Sequence, residues 1–387
     1  MTLLLLAMGT FLIGTDVFVI AGMLPQIGAS LDVSLSAAGQ LMTVFSVGYA
    51  VLGPLLAVPL GRRSPRTGLT AALVAVALGN LLCAVAGSLT TAMAGRLLVA
   101  AGASQFTPHA CSLAASLAPR GRSGKALALV TTGLVMGSVV GVPCGTWAAD
   151  SFGWRPTLLG LAAATAAVAV PLAAGLRGVC SERAAASPRE RLAALRGPAV
   201  RMVLTVTVFA VIAEYSVLTY ASAVFAGATG GDGTRLAVLL FVFGVGGLAG
   251  NAVAGAYLDR PAGRRLVLVS VTGMAVTFLA MPRLAATFPG ALIAMALWGV
   301  AGWMYAAPQQ HRLLRLGGPA GALAVSLNSS VIYVGAALGG ATGGLLLDHV
   351  APHRIPLPAA LLCAAAALSE LRLLHHDRHP EPAPTPT

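Results

Sequence analysis

Long apolar blocks separated by short polar or basic stretches run through this chain from end to end. They read as twelve spans, at 3–27, 37–60, 67–87, 90–116, 125–149, 156–176, 201–226, 236–258, 266–285, 288–311, 320–347 and 356–374. Each block is long enough to cross about 30 Å of hydrocarbon as a helix. No water is present there to satisfy backbone N–H and C=O groups. A helix closes its own hydrogen bonds, so it is the form such a block must take. The first block starts close to Met1 without a basic segment before it, and it is too long for the apolar core of a cleavable leader. It therefore reads as a span. A soluble fold is excluded by composition. Charged residues are 9% of the chain, hydrophobic residues 57%, and mean hydropathy is +0.86, whereas soluble domains carry roughly a quarter charged residues. The expected fold class is an all-α membrane protein.

The net charge is +12, from 24 Lys+Arg against 12 Asp+Glu. A basic balance can signal nucleic-acid binding, but here the cations sit in short loops between apolar blocks. Placing the amino terminus in the cytoplasm puts 19 of the 24 basic residues on that side. Arg155, Arg235, Arg283 and Arg354 fall on the other side, and Arg96 is left within a span. This bias follows the positive-inside rule and predicts both termini cytoplasmic. No nucleic-acid partner is expected; the partners are a lipid bilayer and a small molecule, and the chain is expected to work as a monomer. The five cysteines, Cys83, Cys111, Cys144, Cys180 and Cys363, have neither metal-site nor disulfide-framework spacing. No metal is expected.

The most polar internal stretch, 177–200, divides the chain into predicted six-helix bundles at 1–176 and 201–374, with a tail at 375–387 read as disordered. The halves echo each other. Asp16 lies near the middle of the first span and Glu214 at a similar depth in the seventh. The fifth span carries Gly133, Gly137, Gly141 and Gly145 at spacing four, with Pro143 among them; the eleventh carries Gly335, Gly339 and Gly343. Small residues at that spacing let helices approach closely, and a proline inside a helix kinks it. Parallel repeats of this kind build many secondary carriers.

An acid at mid-membrane costs at least about 2.5–3.5 kcal/mol on insertion scales, so it normally faces a cavity or a partner. Asp16 and Glu214 are the candidates for proton or cation coupling. The alternative for each is a structural hydrogen bond to a neighbouring helix. Arg96 lies about 9 Å below the outer end of the fourth span and Asp16 about 16 Å below the same surface, a gap a long guanidinium can bridge. On the tenth span Trp298, Tyr305, Gln309 and Arg312 share one helical face. Together with Asn328 and Thr107 they form a candidate lining for a drug-sized ligand, or else an interfacial and packing stripe. On the fourth span Thr107 shares a face with Arg96, whereas Gln105 and His109 are off that phase. The run Gly244-Val-Gly246-Gly-Leu-Ala249 matches a dinucleotide fingerprint, but it lies inside an apolar span and follows no strand.

Several segments resemble the drug:proton antiporters with twelve transmembrane helices in the major facilitator superfamily. Gly14-Thr15-Asp16, with Gly22 and Pro25 downstream, is similar to the first helix of that group. Gly137 to Gly145 with Pro143 resembles its fifth-helix antiporter motif, and Phe152-Gly153-Trp154-Arg155 follows as it does there. Ala94-Gly95-Arg96 resembles the fourth-helix motif. Gly255 to Asp259-Arg260, with Arg264 and Arg265, resembles the second-half copy of the loop motif. In the first-half copy Gly61 fills the usual aspartate position, so the charge latch of that loop is weakened or shifted toward Asp259 and Arg260. The nearest subgroup by these motifs is the bacterial chloramphenicol and sugar exporters.

The resemblance implies the major facilitator fold in two pseudo-symmetric bundles, a bacterial inner-membrane location, and export by proton antiport with no cofactor beyond the coupling proton. Substrates are expected to be small and largely apolar. A proton-coupled sugar or nucleoside exporter or importer of the same fold is the alternative. The spans hold few hydroxyl-directed polar groups, which favours the apolar class. An intramembrane enzyme is disfavoured because the spans carry no Gly-x-Gly-Asp, Gly-x-Ser-x-Gly or His-Glu-x-x-His motif.

Overall fold

The computed structural model describes residues 1–61, 63–119, 122–176, 197–258, 263, 265–317 and 321–376. Among them run twelve long helices and no strand. The first bundle comprises α1 (Thr2–Leu31), α2 (Leu35–Gly61), α3 (Pro65–Ala84), α4 (Leu89–Leu117), α5 (Ser123–Phe152) and α6 (Trp154–Gly175). The second comprises α7 (Pro198–Leu218), α8 (Gly233–Tyr257), α9 (Leu266–Leu284), α10 (Phe288–Leu316), α11 (Gly321–Leu347) and α12 (Pro356–His376). Eleven are apolar and long enough to cross a membrane on composition alone. The exception, α4, is 29 residues long and carries Arg96, Gln105 and His109, which lower its hydropathy. It packs against α2 and α3 within the first bundle.

The two bundles repeat one packing plan. In the first, α1 packs on α5, α2 on α4, and α3 on both α4 and α6. In the second, α7 packs on α11, α8 on α10, and α9 on both α10 and α12. Across the interface α2 meets α11 and α5 meets α8, again a matched pair. Outward faces carry large apolar side chains, Val170 and Leu361 each being 72% exposed, as lipid-facing positions do.

The glycine rows set the closest approaches. A Cβ at Gly137 would stand 2.7 Å from Thr15 N, and one at Gly141 would stand 2.8 Å from Thr15 Cβ. Gly133 and Gly145 lie as tightly against Ala7 and Val19. On the other side a Cβ at Gly335 would meet Val211 at 3.0 Å and one at Gly339 would meet Tyr215 Cβ at 2.8 Å. Side chains larger than hydrogen would force each helix pair apart.

Three spans are less regular than their sequence suggests. In α5 the turn Gly137–Gly141 widens to π geometry just before Pro143, whose ring removes a hydrogen-bond donor. In α10 the helix breaks at Tyr305, three residues before Pro308, which cannot bond back to the carbonyl of Met304. The seventh block, read above as continuous to 226, ends its regular helix at Leu218 and continues as short helical pieces, Ala221–Val224 and Ala226–Thr229. Tyr220 leaves the register there, and its hydroxyl donates to Gly340 O at 3.0 Å.

The bundles touch along the half that holds the start of α2 and the end of α11. Ser36 Oγ donates to Gly344 O at 3.1 Å. Tyr220 lies against Gly39, and Thr234 Oγ1 donates to Asp150 Oδ2 at 3.4 Å. Deeper in, the rings of Tyr49 and Tyr333 stack with centroids 3.6 Å apart. At the same end Gly153 takes φ +91°, a left-handed value that lets α5 turn into α6 through a single residue. Arg155 then stacks on Trp154 and donates to Ala86 O at 2.9 Å.

Candidate functional site

Asp16 is 1% exposed and Arg96 is wholly buried. Thr15 precedes Asp16 and turns toward α5, its hydroxyl donating to Phe11 O at 2.9 Å. With α5 held on that face, the next residue around the helix points toward α3 and α4. There Arg96 Nη1 donates to Asp16 Oδ1 in a buried ion pair, and Asn80 Nδ2 donates to Asp16 Oδ2. Arg96 Nη2 also reaches the backbone O of Asp16 at 3.4 Å. The guanidinium lies over the ring of Phe45 on α2, 4.5 Å from its centroid. Both carboxylate oxygens are therefore engaged by donors from two different helices. Arg96 Nε and Asn80 Oδ1 remain without hydrogen-bond partners.

Glu214 differs. It is 8% exposed and accepts no hydrogen bond or ion pair among the described residues. Its carboxylate faces a small cavity between the bundles, lined by Phe18 and Ser138 from the first half and by Phe243 and Trp303 from the second, with Val142, Leu218 and Leu240. On α10 an added Cβ at Gly302 would lie 3.6 Å from Glu214 Oε1, so the absent side chain leaves the acid room. Phe18, two residues beyond Asp16, also meets the ring of Tyr215 at 6.1 Å.

The predicted tenth-span stripe does not line this cavity. Trp298 is buried against Phe243 and Phe278, with centroids 4.8 and 5.2 Å away. Tyr305 sits at the helix break among Val206, Ala210 and Tyr215. Gln309 Nε2 donates to Val203 O at 3.3 Å and reaches Thr207 Oγ1 at 3.5 Å, tying α10 to α7. Tyr305, Gln309 and Arg312 keep one side of α10, but packing on α7 and α12 takes up that side. Asn328 is buried with Oδ1 unpaired, and Thr107 is partly buried on α4. Gln105 packs, donating to Gly53 O at 3.0 Å. Arg312, the last residue of that stripe, is buried at 7% exposure and pairs with Glu370 on α12 at 2.8 Å. Asp259 and Arg260 lie outside the described residues.

The family profile of the Major Facilitator Superfamily matches residues 6–317 and again 203–387. This chain belongs to the Major Facilitator Superfamily. An inner membrane transport protein of Escherichia coli K12, YdhP, is 33% identical to this transporter over 368 residues, covering 95% of this chain and 94% of that one. A chloramphenicol resistance protein of Streptomyces lividans is 30% identical over 377 residues, with coverages of 95% and 94%. The fold matches a bacterial homologue of the human lysosomal transporter Spinster, solved inward-facing and unoccupied. The TM-score is 0.77 at 17% identity, over 99% of this chain and 98% of that one. The xylose transporter XylE of E. coli, solved in a partially occluded inward-open conformation, matches with TM-score 0.72 at 18% identity, over 96% of each chain. The twelve-helix, two-bundle fold expected from the motifs is therefore the fold of a superfamily transporter.

Sequence reasoning missed Asn80, Phe45, Phe18 and Trp303 at these two acids. Asn80 had a legible signal: it is an amide in the apolar stretch that makes up the second half of α3, and a buried amide needs partners. The three aromatic residues had none, because a ring in an apolar span reads the same whether it packs against lipid, core or cavity.

Proposed function

We propose that this transporter exports small, largely apolar organic molecules, such as drugs or secondary metabolites, in exchange for protons. The observation that supports this best is the cluster of Asp16, Arg96 and Asn80, held by three helices of one bundle. A buried ion pair adds little net stability over well-packed apolar residues, because desolvation offsets the attraction. Its use is as a two-state element. A proton on Asp16 removes the charge that holds Arg96. Arg96 rests on Phe45, Phe45 packs edge-on to Tyr333 at 6.2 Å, and Tyr333 stacks on Tyr49. Proton arrival is thus linked by direct contact to the seam between α2 and α11, where two rocking bundles must separate.

The bundles that move are 1–176 and 201–374, joined by the cytoplasmic linker 177–200, in the inner membrane of a bacterium. The relative named as an inner membrane transport protein supports the location, and the one named for chloramphenicol resistance supports the drug class. With both termini cytoplasmic, the seam where the bundles touch through Ser36 and Gly344 lies on the outer side. A sugar substrate is the second reading, since XylE shares the fold. The cavity wall argues against it: among the described residues Ser138, Glu214 and the indole N–H of Trp303 are the polar groups of its lining, few for a polyol.

Everted vesicles test the reading. A drug-susceptibility panel in a strain lacking its own pumps selects the substrate, and an imposed acid-inside gradient should drive its uptake. Uptake only with the opposite gradient would mark an importer. Single cysteines at Gly231 and position 189 of a cysteine-free variant should label from opposite faces; labelling of both from outside would overturn the topology.

A further inference from the structure

Helix α11 carries glycines on two sides. Gly335 and Gly339 face α7 within the second bundle, where an added Cβ would meet Val211 at 3.0 Å and Tyr215 Cβ at 2.8 Å. Gly340 and Gly344 face α2 of the first bundle, across the seam. The side chains at the first contact are apolar and those at the second are polar. At Gly344 the protein satisfies its own groups. Ser36 Oγ donates to Gly344 O, Gln40 Nε2 donates to Ser36 O at 3.5 Å, and the Tyr220 hydroxyl donates to Gly340 O. One turn deeper, at Gly340, it does not. Thr43 Oγ1 from α2 and Thr219 Oγ1 from the end of α7 are buried and have no hydrogen-bond partner among the described residues. Thr219 is wholly buried. Both hydroxyls face the place that a side chain on Gly340 would fill. A Cβ there would lie 2.8 Å from Thr43 Oγ1 and 3.8 Å from Thr219 Oγ1, with Thr43 Cβ next at 3.9 Å.

A hydroxyl both donates and accepts, and burying one without a partner is costly. The chemistry of the gap selects its occupant. A hard cation takes about six or more oxygens, and two neutral hydroxyls are too few. An apolar group would leave both hydroxyls unpaired. A water can accept from each, and two polar partners are enough to hold a buried water. We propose that the gap at Gly340 binds a single water that bridges Thr43 to Thr219 and so ties the first bundle to the second. The bridge makes closure reversible. While the seam is closed, the water pairs two hydroxyls that no protein group reaches. When α2 leaves α11, bulk water serves each hydroxyl equally well. The site concerns closure of the seam and depends neither on proton exchange nor on what the transporter carries.

The test is a double-mutant cycle on the full chain in nanodiscs. Spin labels at Gly87→Cys and His349→Cys of a cysteine-free variant sit on exposed loops at the seam end of the first and second halves. Double electron–electron resonance then gives the ratio of the shorter, closed distance to the longer, open one. Thr43→Val keeps the shape, removes one hydroxyl and strands the other, so the closed-to-open ratio should fall on the order of tenfold. Thr219→Val should do the same. The double valine variant strands nothing, so its ratio should be no lower than that of either single variant. Thr43→Ser and Thr219→Ser keep the hydroxyls and should stay at the wild-type ratio. Losses that add in the double variant would mean two independent hydroxyls, and a ratio that rises with each valine would mean two unpaired ones. Either result, or no change in any valine variant, would overturn the bridge.

Discussion

The two halves of this transporter place an acid on the same kind of helix and treat it in opposite ways. Asp16 on α1 and Glu214 on α7 each sit beside a glycine-lined neighbour, α5 for one and α11 for the other. Asp16 is clamped by Arg96 and Asn80, with no room around it. Glu214 has no hydrogen-bond or ion-pair partner among the described residues and faces a cavity. The repeated backbone plan thus carries a divided task. A clamped acid suits a switch whose charge state changes what the helices hold. An open acid suits a site whose occupant changes. The difference comes from α4 against α10: the first contributes Arg96 at the level of Asp16, the second only Gly302 and ring edges at the level of Glu214.

The sharpest way to break this contrast is to remove one charge from each half. Arg96→Ala leaves Asp16 buried and unpaired, and stripping one partner from a buried pair costs about 3–5 kcal/mol. Thermal unfolding in detergent should fall steeply unless the acid takes up a proton, so the loss should be smaller at acid pH. Arg96→Lys should recover only part, because it lacks the planar fork and the stacking on Phe45. Glu214→Gln removes a charge that nothing compensates, so stability should hold or rise. Equal losses at the two sites would remove the distinction between clamp and cavity.

Next comes packing. Gly141→Leu drives a side chain into Thr15 and should separate α1 from α5. Transport should drop by about an order of magnitude or more, while membrane insertion measured by protease protection stays intact, since helix spacing sets the site. Wild-type transport would make the row incidental.

Asn80→Ala is a smaller change. Asp16 keeps Arg96 but loses its second donor, a loss of about 1–3 kcal/mol for a bond to a charged group. The pH midpoint of transport should move while maximal transport is retained. Asn80→Asp, which sets a second acid against Asp16, should be worse than alanine. No shift in either variant would confine Asn80 to packing. The smallest effect is expected from Tyr333→Phe, which keeps the stack on Tyr49 and removes only a hydroxyl.

Much of this was legible in the sequence because the membrane simplifies the problem. Apolar length gives the spans, cation placement gives a predicted orientation, and spacing-four glycines mark helix contacts. Asp16 and Arg96 stood out because charge in hydrocarbon is rare. On the tenth span spacing puts Tyr305, Gln309 and Arg312 on one side but does not say what that side meets: Gln309 donates to Val203 O on α7 and Arg312 pairs with Glu370 on α12. The pairing of Arg312 with Glu370 is not legible, because the two lie 58 residues apart in the chain. Seeing that Glu214 lacks a partner requires the surroundings of every neighbour, which no single-sequence pattern contains.

The central claim is that Asp16 carries the switching proton while Glu214 faces the substrate. Substrate-induced proton release from protein reconstituted in liposomes, at one substrate concentration well above saturation, tests it directly. Asp16→Asn mimics the protonated acid, so substrate should still bind, with proton release abolished. Asp16→Asn releasing protons at the wild-type rate and stoichiometry would make the clamp structural and pass the proton to Glu214.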